Sequence, residues 1–149
     1  MSTRIVRRSH SVPFDLQRFA YGGVVVMQQS TFFRRRAFEK VGGFNENFRT
    51  QWDGQLLIDF ALSGSRFALV DDYWSLFAIY PGSITGSVKY IQQCRRDLAK
   101  MFQTITGRDY DRTNKVLFYL ARVEYWFRNP RIPLYRIIDN IIRRPEIVV

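Results

Sequence analysis

The period of the apolar positions changes along this chain. Val24-Val25-Val26-Met27 is a β-branched apolar run, the pattern of a strand covered on both faces, and it continues through Gln28-Gln29-Ser30-Thr31 to Phe32-Phe33. Polar residues in such a strand must satisfy their hydrogen bonds, so Gln28 and Gln29 either face a cleft or pair with neighbouring loops. Upstream, Pro13 favours an extended entry and Asp15 is placed to cap a short turn through Phe19. Downstream, Phe38 and Val41 lie i, i+3 on a predicted helix over 35–41, with Gly42 as its left-handed stop and Phe44 packing back on its end. Asn45-Glu46-Asn47 is turn-forming. Leu56, Leu57, Phe60 and Ala61 then give one buried face to a helix over 53–63, ended by Gly64. Residues 66–70 and 73–80 read as strands around Asp71-Asp72.

After residue 88 the pattern is helical. Cys94, Leu98, Met101, Phe102 and Ile105 form a stripe ended by Gly107. Asp111 or Thr113 caps a second predicted helix, whose inward set is Val116, Leu117, Leu120, Val123 and Phe127. Pro133 suits the first turn of a third, with Leu134, Ile137, Ile138, Ile141 and Ile142 as its stripe and Arg136, Arg143 and Arg144 off it. The expected fold is therefore α/β: a mixed sheet from strands near 22–33, 66–70 and 73–80 with flanking helices. A flexible basic arm over 1–13 precedes it, and an amphipathic helical section over 89–149 follows it.

Charge adds a direction. The chain of 149 residues carries a formal net charge of +10, which favours an anionic partner. Residues 1–88 hold 10 basic against 7 acidic residues, and 89–149 hold 13 against 6, so the imbalance sits in the second part. The single cysteine, Cys94, excludes an intrachain disulfide and a thiolate metal site and points to a reducing compartment. The single histidine, His10, excludes a multi-histidine metal site and reads as solvated. No secretory leader is legible, and the apolar runs are too short for a bilayer span.

One stretch points to a particular chemistry. Gln-Gln-Ser-Thr-Phe-Phe-Arg-Arg, Phe-Glu-Lys-Val-Gly-Gly-Phe-Asn-Glu, Trp-Asp-Gly-Gln-Leu-Leu, Ser-Gly-Ser-Arg-Phe and Tyr-Pro-Gly-Ser-Ile-Thr follow one another in order. Over residues 14–88 this resembles the C-terminal, acceptor-side half of a family 2 glycosyltransferase with the GT-A fold. The resemblance implies an inverting sugar transfer from a nucleotide-sugar, with Asp53 at the position of the general base. It also makes Trp52, Gln28, Gln29, Tyr80 and Ser83 candidates for the acceptor wall. On spacing alone, Asp53 reads as a helix N-cap, Trp52 as core, and Gln28 and Gln29 as satisfied strand-end amides.

The match has two departures. The donor-binding half, with the Asp-x-Asp motif that holds Mg or Mn on the diphosphate, has no counterpart upstream. Asp109-Tyr110-Asp111 has the letters but lies in a helix-connecting turn and reads as a cap. The Arg and His that often precede the Pro-Gly-Ser-Ile turn are replaced by Ala78 and Tyr80. No cofactor is therefore expected in this chain, and a divalent metal with nucleotide-sugar only where a donor-binding half is supplied. The expected partners are a saccharide or lipid-linked acceptor, a donor-binding chain or a second copy, and an anionic membrane surface. The expected location is cytoplasmic, peripheral at the inner face of the membrane. A non-catalytic interaction subunit and a basic nucleic-acid-binding module, with Tyr110, Tyr119, Tyr125, Trp126 and Tyr135 among the charges, are the alternatives.

Overall fold

The computed structural model describes residues 11–70, 72, 74–75, 88–110, 115–131, 133–134 and 137–138. Of the described residues, 58% are helical and none lies in a β-strand. The expected α/β architecture, with its partial GT-A-like mixed sheet, is thus replaced by a helical one.

Among the described residues five bounded α-helices follow one another: α1 (Leu16–Ala20), α2 (Arg35–Lys40), α3 (Trp52–Leu62), α4 (Ile91–Thr106) and α5 (Lys115–Arg128). Two 3-10 turns, Gln28–Ser30 and Val88–Tyr90, lie between them. Residues 133, 134, 137 and 138 are helical as well.

The sheet fails for local reasons. Residues 23–27 form neither helix nor strand, and among the described residues one backbone bond joins them to the segment before α1, from the Val12 N–H to the Val25 carbonyl (3.2 Å). A ladder needs a repeating series of such bonds. The run then curls into the 3-10 turn, where Ser30 N–H donates to the Met27 carbonyl and Thr31 N–H to that of Gln28. Residues 66–70 are exposed and form neither helix nor strand, and Phe67 stacks on Phe14 (4.2 Å between centroids). Most of the third expected strand, 73–80, lies outside the described residues.

Several local readings hold. Asp15 caps α1, its Oδ1 accepting from the Arg18 N–H at 2.7 Å. Gly42 and Gly43, both at positive φ, end α2 with bonds from their N–H groups to the carbonyls of Glu39 and Phe38. Phe44 folds back edge-on to Phe38 at 5.0 Å. Gly107 ends α4 in the left-handed conformation, its N–H donating to the Gln103 carbonyl.

Two clusters form the core. Val12, Val24 and Tyr125 make one; Phe48, Ile58 and Met101 make the other; Phe19 of α1 packs against both. Phe102, 2% exposed, fills the space between Tyr21, Tyr110 and Phe118. Fully burying an aromatic or aliphatic side chain of this size contributes about 1.5–3 kcal/mol.

The α5 face differs from its expected orientation. Phe118, Ala121 and Tyr125 pack inward; of the expected set Val123 is half-buried, while Val116, Leu117, Leu120 and Phe127 are exposed. Phe118 meets Tyr21 and Phe102, and the backbone of Ala121 lies so near Gly23 that a Cβ there would be 3.3 Å from its carbonyl oxygen. These contacts rotate the helix away from the face that spacing selected.

Candidate functional site

The candidate base sits where a loop turns into α3. Asn45 starts that loop: its side-chain Oδ1 accepts from the Asn47 N–H, and its carbonyl from Phe48 N–H. Phe48 is buried against Ile58 and Met101, so the loop is anchored in the core. Thr50 is buried too, and Asp97 of α4 holds it from across the helix interface.

Asp97 is fully buried, and its carboxylate is well supplied with donors. Oδ2 accepts from the Thr50 N–H at 2.9 Å and the Thr50 hydroxyl at 2.7 Å. Oδ1 accepts from the Gln93 Nε2 at 2.8 Å. Burial pushes this carboxyl up, but the bonds from the Thr50 hydroxyl and N–H, Gln93 and the Arg49 backbone together bring it below its ordinary value. A charged clamp thereby fixes the approach to α3. Gln51 adds a weaker tie, donating from Nε2 to Cys94 Sγ at 3.2 Å.

The helix starts after Gln51, whose side chain makes no capping bond. Trp52 and Asp53 are the first two helical residues. Asp53 is half-buried, and among the described residues its carboxylate takes no hydrogen bond and no ion pair. It therefore does not serve as the N-cap that spacing suggested. Next to it, Gly54 lets α3 approach α4: a Cβ there would lie 2.8 Å from the Met101 methyl.

Trp52 is half-buried, packs against the Phe48–Ile58–Met101 cluster, and meets Phe44 edge-on at 4.9 Å. Gln28 and Gln29 are exposed in the 3-10 turn, and no hydrogen bond joins either side chain to Asp53. What links the two places is a run of ring contacts: Phe33 on Phe38, Phe38 on Phe44, and Phe44 on Trp52. Beside the turn, Phe32 meets Trp74 edge-on at 6.3 Å, and the Ser30 and Ser75 hydroxyls share a hydrogen bond of 2.6 Å. Tyr80 and Ser83 lie outside the described residues.

Two polar residues of this region escaped the sequence reading. Asp97 occupies the core line assigned to Leu98, which is 40% exposed. The signal was present: Asp97 is i+3 from Cys94 and i−4 from Met101, a charge in register with an apolar stripe. Gln55 is 4% exposed, donates from Nε2 to Asp59, and has an Oε1 with no partner among the described residues. It lies inside an apolar helix run, where no spacing distinguishes it.

Among the described residues, no group of three or more His, Cys, Asp or Glu is placed to hold a metal ion. Asp109 accepts from Gln103 Nε2 at 3.2 Å, and Asp111 lies outside the described residues. No protein-family model, curated protein or solved structure matches the chain.

Proposed function

We propose that this chain supplies the acceptor side of an inverting, nucleotide-sugar-dependent sugar transfer, with Asp53 as general base. One observation carries most of the support. Asp53 is a half-buried carboxylate at a fixed helix start, without a structural partner among the described residues. A carboxylate spent on capping or ion pairing is poorly disposed to take a proton from a substrate hydroxyl; this one is open to it.

In the proposed step, Asp53 accepts the proton of an acceptor hydroxyl. The hydroxyl oxygen attacks the anomeric carbon from the face opposite the nucleotide. The bond to the diphosphate breaks, the nucleoside diphosphate leaves with the electron pair, and the configuration inverts. Trp52, Gln28, Gln29, Tyr80 and Ser83 are the proposed acceptor wall. The donor is assigned to a partner chain or segment, because no Asp-x-Asp that would hold a metal on the diphosphate precedes the matched block in the sequence. No part of the step assigned to this chain runs through such a metal. The acceptor is a saccharide or a lipid-linked saccharide, and the proposed location is the cytoplasm, at the inner face of the membrane.

The test is transfer from nucleoside-diphosphate hexoses to saccharide acceptors by the full chain, alone and with candidate donor-binding chains. Asp53→Asn is expected to lower the transfer rate by about 10²–10⁴-fold while leaving donor binding unchanged. Equal transfer by the variant, or no binding and no turnover of any nucleotide-sugar by the wild type, would end the proposal.

A further inference from the structure

We propose that the outer face of α5 docks on an anionic lipid bilayer, lying in its interface. This is independent of the chemistry at Asp53. The helix is apolar on two opposite sides. Phe118, Ala121 and Tyr125 face the body, while Val116, Leu120 and Phe127, at i, i+4 and i+11, are exposed on the opposite side, where Leu120 and Phe127 also line an open groove with Gln17, Arg18 and Tyr21 of α1. Val116, Leu120 and Phe127 are 66%, 59% and 83% exposed. A helix whose outer side is this apolar buries it against something.

The side chains flanking that ridge select the occupant. Tyr119 and Trp126 lie beside it and are exposed. Each carries an apolar ring with a polar tip, the chemistry that suits the boundary between acyl chains and headgroups. Next around the helix comes Arg122, exposed and without an ion pair among the described residues. On this flank the order from ridge to body is thus aliphatic, aromatic, cationic, matching the order from acyl chain to headgroup phosphate, while on the other flank Glu124 is paired with Arg18 and Arg128. Leu134, Ile137 and Ile138, beyond α5, are exposed as well.

Charge argues against a second copy as the occupant. On α5 Glu124 is already paired with Arg18 and Arg128, so a second copy of this face would meet Arg122 with no unpaired carboxylate of its own among the described residues. An anionic surface has the complementary sign. No helix among the described residues is long and apolar enough to cross a membrane. The fit is to a surface-lying helix held by shallow insertion and arginine–phosphate attraction.

The experiment is co-sedimentation of the full chain with vesicles of phosphatidylcholine, with and without phosphatidylglycerol. Binding is expected with phosphatidylglycerol present, and it should weaken as salt is raised. Phe127→Asp should reduce it about tenfold or more, with the far-UV circular dichroism of the unbound protein unchanged because the residue is exposed. Arg122→Glu should weaken binding to the anionic vesicles several-fold without affecting the neutral ones. Three outcomes would overturn the proposal: no binding to either vesicle, binding indifferent to Phe127→Asp, or a solution dimer that Phe127→Asp converts to monomer.

Discussion

Asp97 has no exposed surface, yet it carries a charge, because Thr50 and Gln93 turn three donors toward it. Its carboxyl is lowered in the folded chain, so the stability it contributes is present above the unfolded carboxylate range, near about pH 4. That contribution is lost as the pH falls through the lower folded value. Urea midpoints of the wild type should therefore drop as the pH is taken below about 4, and Asp97→Asn should flatten that drop. A midpoint in the variant that falls as steeply as in the wild type would refute this role. Single residues were unevenly legible in the sequence. Asp15 declared itself by standing directly before a short apolar turn, and it is a cap. Asp53 stood in a similar place but is the second residue of the helix, two positions past the Gln51 cap, and its carboxylate has no partner among the described residues. A difference of two residues at a helix start changes the role, and spacing does not resolve it.

Among the elements, α4 was largely readable and α5 was not. In α4, the charged and polar residues other than Gln93 and Asp97 mostly occupy the side away from the core, so one face stands out, with Met101 and Phe102 buried and Cys94 and Ile105 half-buried along it. In α5, Lys-Val-Leu-Phe-Tyr-Leu-Ala-Arg-Val-Glu-Tyr-Trp-Phe-Arg offers apolar residues on nearly every side. Periodicity cannot choose between two apolar faces; the contacts with Tyr21, Phe102 and Gly23 make the choice. The crossing of α3 on α4 depends on Gly54 in the same way. Gly54→Ala gains up to about 1 kcal/mol of helix propensity but pushes on a buried methionine methyl, and overpacking costs about 1–3 kcal/mol. A net loss of about 1 kcal/mol is expected in chemical denaturation. A more stable variant would mean that Met101 moves aside freely.

At the scale of the whole molecule, the absence of a sheet among the described residues is the largest difference between sequence and structure. Val24-Val25-Val26-Met27 has strand composition, but strand composition becomes a sheet only where neighbours supply a ladder. Val12 supplies a single backbone bond, and the run ends in a 3-10 turn. The order of local motifs was legible because each is set by a few adjacent residues; their assembly was not, because it depends on contacts far apart in sequence. What emerges is a helical body in which Asp97 fixes the approach to α3 and Asp53 stands free at its start. Paired thermal unfolding of Asp53→Asn and Asp97→Ala tests this most directly. The account predicts that Asp53→Asn unfolds within about 0.5 kcal/mol of the wild type, as expected for a residue without a structural partner. It predicts that Asp97→Ala loses about 3 kcal/mol or more, because buried donors are left unpaired. A loss of about 1 kcal/mol or more in Asp53→Asn, as for a helix cap, together with a near-neutral Asp97→Ala, would contradict it.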